Sequence, residues 1–427
     1  MWLLNTTTYD LEEFWEFEAP SYAILSHTWD KEEASFRDVF EKPVGFQLKA
    51  GYEKVKACCD LAARRGISYA WVDTCCIDKR NSADLSEALN SMYTYYRNAV
   101  ECYIYFSDVS EEAAAQHETE PNAEIRNSKW LTRGWTLQEL IAPKSRSFYT
   151  RHWSPIPSTS KLLSLIADTT SIPLSLLQDR DTLVSYCAAK RMSWAAKRIT
   201  TRPEDVAYSL LGLFGVSMPI LYGEGGSRAF ARLQAAIMER AADHTLFVWR
   251  GPYESCGLLA REPSDFRDTG TLGQWAPAFL APFTMTNVGL AVRLQFVKKP
   301  EHDTQDHRLA ALQCDFLTSA KTWRVVFVRL RLIPGAHCYL NGQKCNAYRR
   351  VDCSVIETHN RRKLVGHVWE EALILQDEQY AKVVRSIEEH NARWGTEHSV
   401  ETRQRYLGGG PTPPRWELHG VGSGELR

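Results

Sequence analysis

From residue 20 to residue 109 the chain alternates between two hydrophobic periods, and that alternation restricts its fold more than any other feature. Three short runs, PSYAILSHTW (20–29), SYAWVDTCCI (68–77) and ECYIYFSDV (101–109), are apolar, β-branched and aromatic, the texture of buried strands. Between the first two, GYEKVKACCDLAARRG places Tyr52, Val55, Cys59 and Ala62 at helical spacing, with Gly66 as a C-cap. Between the second and third, DLSEALNSMYTYYRNA carries an apolar stripe of Leu85, Leu89, Met92 and Tyr96, with Asp84 and Glu87 spaced as a capping box. Strand, helix, strand, helix, strand is the pattern of a parallel sheet with right-handed crossovers.

Ligands of such sheets gather where the carboxyl ends of the strands open into loops. That rule puts Ser26, His27, Thr28, Trp29 and Asp30 on one rim, with Asp73, Thr74 and Asp78 beside them and Asp108 joining from the third strand. After a polar, acidic loop, SEEAAAQHETEPNAE (110–124), comes SKWLTRGWTLQELIAP (128–143), which reads as a buried helix. With about 100° of rotation per residue, Trp135 and Glu139 fall on one side of it, one turn apart. Leu131, Leu137 and Ile141 face the core, and Glu139 sits at the border of that face.

At 427 residues the chain exceeds one ordinary core. Residues 151 to about 245 read as mainly helical: Pro203 and the acids after it suit a helix start, and SRAFARLQAAIMERA (227–241) has an apolar stripe with Ser227 as a cap. Beyond Thr245, runs such as LFVWR (246–250), LAVRLQF (290–296) and WRVVFVRLRL (323–332) predict a β-rich domain. The division is then 1–245, with an α/β core at about 20–150 and a helical extension at about 151–245; 246–375, β-rich; and 376–427, a C-terminal helix, DEQYAKVVRSIEEHNARW, and a flexible tail. Val206–Gly223 carries no charge, but its glycines, serines and Pro219 favour a core helix ending near Gly215 over a membrane span.

A formal net charge of -1 gives no electrostatic case for nucleic acid or an anionic membrane as partner. Fourteen tryptophans point instead to aromatic pockets or interfaces. Eleven cysteines without a CxxC pattern, behind an N-terminus lacking a basic secretory leader, fit reduced thiols in the cytoplasm. Cys75 and Cys76 have no partner base in sequence and read as buried structural thiols. Cys338, Cys345 and Cys353 lack zinc spacing, so neither a structural metal nor a bound cofactor is expected.

Read in order, YAILSHTWD, WVDTCCIDK, LSEALNSMYTYYRNAVECYIYFSDV, SKWLTRGWTLQELIAP and RMSWAAKRITTRPEDVAYSLLGLFGVSMPILYGEG resemble the heterokaryon-incompatibility (HET) domain of filamentous fungi. PFTMTNVGLAVRL and LAALQC look like the region that often follows it. HET domains are in turn similar to Toll-receptor-like (TIR) domains, which have a flavodoxin-like parallel sheet. In that family a Ser-x-x-Trp-Cys-x-x-Glu-Leu pattern carries the catalytic glutamate of the members that cleave NAD. Trp135, Glu139 and Leu140 fall in a similar arrangement, with Thr136 at the cysteine position.

The resemblance implies an effector of vegetative incompatibility or regulated cell death, an NAD glycohydrolase with Glu139 as its catalytic residue. Its partners would be NAD or a related nucleotide, and itself or another HET-, TIR- or NLR-type protein, because assembly would desolvate an acid at a helix edge. Cleaving the bond between nicotinamide and ribose leaves an oxocarbenium-like centre, which a fixed carboxylate stabilises. Trp135 or Trp29 can supply an aromatic face, and Arg133 with the amides after the first strand can supply donors for the diphosphate. Asp73 can bind ribose hydroxyls and His27 a phosphate. Each has a plainer reading: Glu139 as a surface glutamate paired with an arginine, Asp73 and Asp78 as turn residues, His27 as a satisfied core histidine. The basic cluster Arg191, Lys197, Arg198 and Arg202 either contacts phosphates or pairs with Glu204 and Asp205. The rival function is a non-catalytic module that signals through the same surfaces.

Overall fold

The computed structural model describes residues 1–116, 123–274, 283–297, 307–340, 343–360 and 368–394. The chain divides into one unit of Met1–Ile237 with Arg261–Arg267 and another of Met238–Ala260 with the residues from Asp268 on.

The first unit is built on a mixed sheet of β1 (Trp2–Asn5), β2 (Leu11–Glu13), β3 (Tyr22–Ser26), β4 (Tyr69–Trp71), β5 (Glu101–Tyr105), β6 (Arg146–Tyr149) and β7 (Pro155–Ile156), in the order β2-β1-β4-β3-β5-β6-β7. The four central strands, β4, β3, β5 and β6, are parallel. Every residue of β3 and β5 is buried, which is why both read as unbroken apolar runs. β1, β2 and β7 add antiparallel edges. The helices α1 (Phe36–Glu41) and α2 (Ala50–Arg64) connect β3 to β4, and α3 (Ser82–Asn98) connects β4 to β5.

Gly66, in the left-handed region, follows the end of α2, as a C-cap glycine should. The capping box expected at Asp84 and Glu87 is displaced. Asn81 caps α3, its side chain accepting from the Ala83 amide, and Asp84 lies inside the first turn. An Asx residue one turn earlier wins because its oxygen reaches an amide that would otherwise have no partner.

Between β5 and β6 lie α4 (Glu111–Gln116), α5 (Ala123–Asn127), α6 (Lys129–Thr132) and α7 (Thr136–Ile141). The segment 128–143 is thus two short helices and not one. Arg133 is extended between them and pairs with Ile199 as a parallel bridge: the Ile199 amide donates to the Thr132 carbonyl at 2.7 Å and the Gly134 amide to the Ile199 carbonyl at 2.9 Å. A Cβ on Gly134 would collide with Thr200, so the close approach requires glycine.

The helical extension contains α8 (Ser160–Thr170), α9 (Leu174–Gln178), α10 (Ala188–Ser193), α11 (Asp205–Tyr208), α12 (Leu211–Phe214) and α13 (Gly226–Arg240). The charge-free stretch ends its helical part at Gly215, in the left-handed conformation, as expected. No described helix is long and apolar enough to cross a membrane. Pro203 stands in a turn just before α11, and Ser227 lies inside α13, which starts one residue earlier, so Ser227 is not its cap.

The second unit is β-rich. β8 (Ser255–Cys256), β9 (Thr271–Gln274), β10 (Phe283–Thr286), β11 (Gly289–Phe296), β12 (His307–Leu317), β13 (Trp323–Leu340), β14 (Gln343–Val351), β15 (Glu357–His359) and β16 (Val368–Ile374) pair so that β11, β16, β14, β13 and β12 close into a barrel through the β11–β12 contact. The helix α14 (Asp377–Trp394) lays Tyr380, Val383 and Ile387 against a cluster that includes Ile333, Cys345 and Leu373. LFVWR is not a strand: His244–Phe247 is a 3₁₀ turn. The buried Arg350 guanidinium donates to the Phe247 and Trp249 carbonyls at 3.2 and 2.7 Å and stacks over the Trp249 ring, satisfying oxygens that a ladder would otherwise have to bond. The tail 407–427 and part of the acidic loop lie outside the described residues.

Candidate active site

Among the parallel strands the order reverses between β3 and β5, and a crevice at such a switch point is where open α/β sheets hold ligands. Ser26, the last residue of β3, stands there with its hydroxyl between two side chains from the connection between β5 and β6. Trp130 Nε1 donates to Ser26 Oγ at 2.8 Å, and Ser26 Oγ donates to Glu139 Oε2 at 2.5 Å. Trp130, Ser26 and Glu139 are all buried, Glu139 with 4% of its surface exposed.

Burial pushes the Glu139 carboxyl up to about 8, and the Asp73 charge adds to the rise; hydrogen bonds from Ser26 and with Tyr96, and the charge of Arg133, oppose it. Glu139 is therefore mostly a neutral acid at pH 7. The Tyr96 hydroxyl beside it donates to the Leu25 carbonyl at 2.8 Å.

The start of α7 is fixed from below. Arg198, half-buried, donates from Nη1 to the Arg133 carbonyl and to Thr136 Oγ1, both at 2.8 Å. Thr136, at the position where the TIR pattern has cysteine, donates in turn to the Trp130 carbonyl at 2.5 Å. Burial pulls the Arg198 guanidinium down to about 9, while the neighbouring Glu139 charge favours its cation. These bonds hold α7 at the angle that aims Glu139 at Ser26.

Next to Ser26, the ring of His27 is buried with neither nitrogen hydrogen-bonded; its Nε2 lies 3.8 Å from both Glu33 Oε2 and Asp73 Oδ1. Burial lowers its pKa to about 4, against the pull of Glu33, so the ring is neutral. Asp73 accepts from Trp29 Nε1 at 2.8 Å, and burial raises its pKa. Thr28 pairs with Ser107 across 3.3 Å. Lys54, on α2, reaches the Thr28 carbonyl at 3.1 Å and Asp30 and Glu33 at 2.6 Å each. Glu33 can sit there because α2 carries glycine at its second position: a Cβ on Gly51 would lie 2.5 Å from the Glu33 Cα.

The rim residues read from the sequence thus gather at the ends of β3 and β4, with Glu139 behind them. Arg133 and Trp135 point to other partners: Arg133 Nη1 donates to Thr201 Oγ1 at 2.7 Å, and the Trp135 indole bonds to Asp205, which Tyr222 also reaches at 2.9 Å. The indole joined to Glu139 through Ser26 is that of Trp130. Asp78 chelates Arg80, and Asp108 caps α6 through Ser128 and the Lys129 amide. Cys75 and Cys76 are buried thiols, and burial raises Cys75 well above its usual value. Of the basic cluster, Arg198 lies beneath α7, Arg191 donates to the Tyr186 and Leu213 carbonyls, and Arg202 stacks on Tyr222.

Sequence reasoning passed over Trp130, Tyr96, Glu33 and Lys54. Tyr96 was visible only as a member of an apolar stripe, and nothing local marks Lys54 as facing inward. The expectation that assembly desolvates Glu139 is corrected: the single chain already buries it.

Residues 22–120 match the model of the heterokaryon incompatibility protein (HET) family, and residues 228–314 match a domain of unknown function (DUF8212). Over 221 residues, 51% of its length, the chain is 47% identical to the vegetative incompatibility protein HET-E-1 of Podospora anserina. The chain contains a HET domain at residues 22–120. It spans 16% of the length of HET-E-1, so the likeness concerns one region of that larger protein. No solved structure matches the chain significantly.

Proposed function

We propose that this HET-domain protein is an effector of vegetative incompatibility that hydrolyses NAD at the nicotinamide–ribose bond, with Glu139 as the catalytic carboxyl. The observation that carries the reading is the buried Glu139, bonded to Ser26 at the switch point of the sheet and held near pH 8. The order of the parallel strands, second, first, third, fourth, supports a TIR- or flavodoxin-like core. The incompatibility role is supported by the HET match and by the name of HET-E-1.

In the reaction the bond from the sugar carbon to the pyridinium nitrogen breaks, and its electron pair leaves with nicotinamide, which becomes neutral. Glu139 acts as its carboxylate, the minor fraction at pH 7 that has already given its proton to solvent, and that charge stabilises the cation developing on the ribose. Water then bonds to the sugar carbon, and the proton it loses passes to that carboxylate. Because Glu139 is already buried, what assembly with another copy or a related partner would supply is access for NAD, not desolvation.

A second reading, docking without chemistry, is favoured by Trp15, Phe17 and Phe40, which are 73%, 83% and 55% exposed. Expression in a filamentous fungus separates the two. Wild type is expected to deplete NAD and arrest growth, and Glu139→Gln to do neither. Arrest that persists in Glu139→Gln with NAD intact would favour docking.

A further inference from the structure

A second group of atoms at the strand ends lacks what Glu139 has, a partner. His27 and Thr74 are 6% and 2% exposed, yet both His27 ring nitrogens and Thr74 Oγ1 bond to none of the described residues. Glu33 Oε2 and Asp73 Oδ1, each 3.8 Å from His27 Nε2, are likewise buried and unpartnered. Native folds rarely bury so many polar atoms together without a group to satisfy them.

The chemistry of the atoms restricts what that group is. Two carboxylate oxygens accept only, a neutral imidazole donates once and accepts once, and a threonine hydroxyl does both. An anion is repelled by Asp73 and Glu33. A cation meets Lys54, which already holds Glu33 Oε1 at 2.6 Å, and among the described residues no His, Cys, Asp and Glu group could hold a metal ion. What remains is a neutral donor of O–H groups. The adjoining Trp29, 47% exposed and tied to Asp73 through its indole nitrogen, holds Lys79 Nζ over one face of its ring, 3.7 Å from the centroid, and its opposite face is of the kind that covers the C–H side of a sugar ring.

We propose that His27, Glu33, Asp73 and Thr74 form a subsite for the two adjacent hydroxyls of a ribose. One donates to Glu33 and the other to Asp73, while His27 and Thr74 supply the return hydrogen bonds. The atoms are closed to solvent in the free chain, so Trp29 gives way as the sugar enters. Ser26, which holds Glu139, immediately precedes His27, so a sugar bound here stands beside that carboxyl. The choice of the ribose that carries nicotinamide rests on the hydrolytic reading; the existence of a diol subsite does not.

Calorimetric titration of the full chain tests it with two probes, ADP-ribose and the derivative lacking the 2-hydroxyl of its terminal ribose. ADP-ribose is expected to bind about tenfold or more tightly than the deoxy derivative. Asp73→Asn should remove a similar factor from ADP-ribose binding, and the near-isosteric Thr74→Val, which preserves the fold's packing, about threefold to tenfold. Equal binding of the two probes, binding of neither, or ADP-ribose affinity unchanged in both variants overturns the proposal. Discrimination between the probes without any nicotinamide release keeps the subsite and removes hydrolysis. Nicotinamide release whose KM is the same in Asp73→Asn and Thr74→Val does the reverse.

Discussion

At Glu139 the competition is between desolvation, which favours the neutral acid, and the hydrogen bonds and cations that favour the carboxylate; desolvation wins. The sign of the resulting pH dependence follows directly. The folded chain keeps a proton on Glu139 up to about pH 8, whereas an unfolded chain releases it near 4.5. Between those values the folded state binds more protons, so this group's contribution to stability falls as pH rises through the window and is lost above it. Glu139→Gln cannot ionise and should escape the loss. In denaturant titrations the variant should gain on wild type from pH 4.5 to 8, by on the order of a few kcal/mol. A difference that stays flat across that range would mean that Glu139 is not desolvated. His27 acts in the opposite sense, since a ring held to about 4 loses stability as pH falls below its ordinary value.

Among the elements, the break between α6 and α7 does most to place the site. One continuous helix would carry Glu139 past Ser26, and the extended Arg133, paired with Ile199, prevents it. Gly134→Ala would push a methyl group into Thr200 and separate that pairing. We expect a loss of about 1–3 kcal/mol in denaturant unfolding, with Glu139 losing its hold on Ser26. A fully stable Gly134→Ala protein would contradict the account of how α7 is aimed. The strands and helices of 20–109 were legible because each buries one continuous face, so its period shows in sequence. The break at Arg133 was not, because its cause lies 66 residues later at Ile199. LFVWR was misread for a related reason: its carbonyls are bonded by Arg350, a hundred residues on.

For the molecule as a whole, the sheet order and the HET match fall on the same part of the chain, the part that contributes Ser26, His27, Asp73 and Tyr96. The rim was legible because strand ends can be located from hydrophobic runs. Its partners, Trp130 and Arg198, were not, since they reach Ser26 and α7 from distant positions that local patterns do not connect. The barrel unit adds a second fold whose contribution to activity is open to direct deletion tests. The central claim is that Glu139 cleaves NAD, and that it does so when copies are brought together. Its most direct test is the rate of nicotinamide release from NAD by the purified chain, free and fused to an inducible dimeriser, for wild type and Glu139→Gln. The account predicts release that rises on clustering and falls at least about a hundredfold in Glu139→Gln. Release that the substitution leaves unchanged, or none from the clustered wild type, would contradict it.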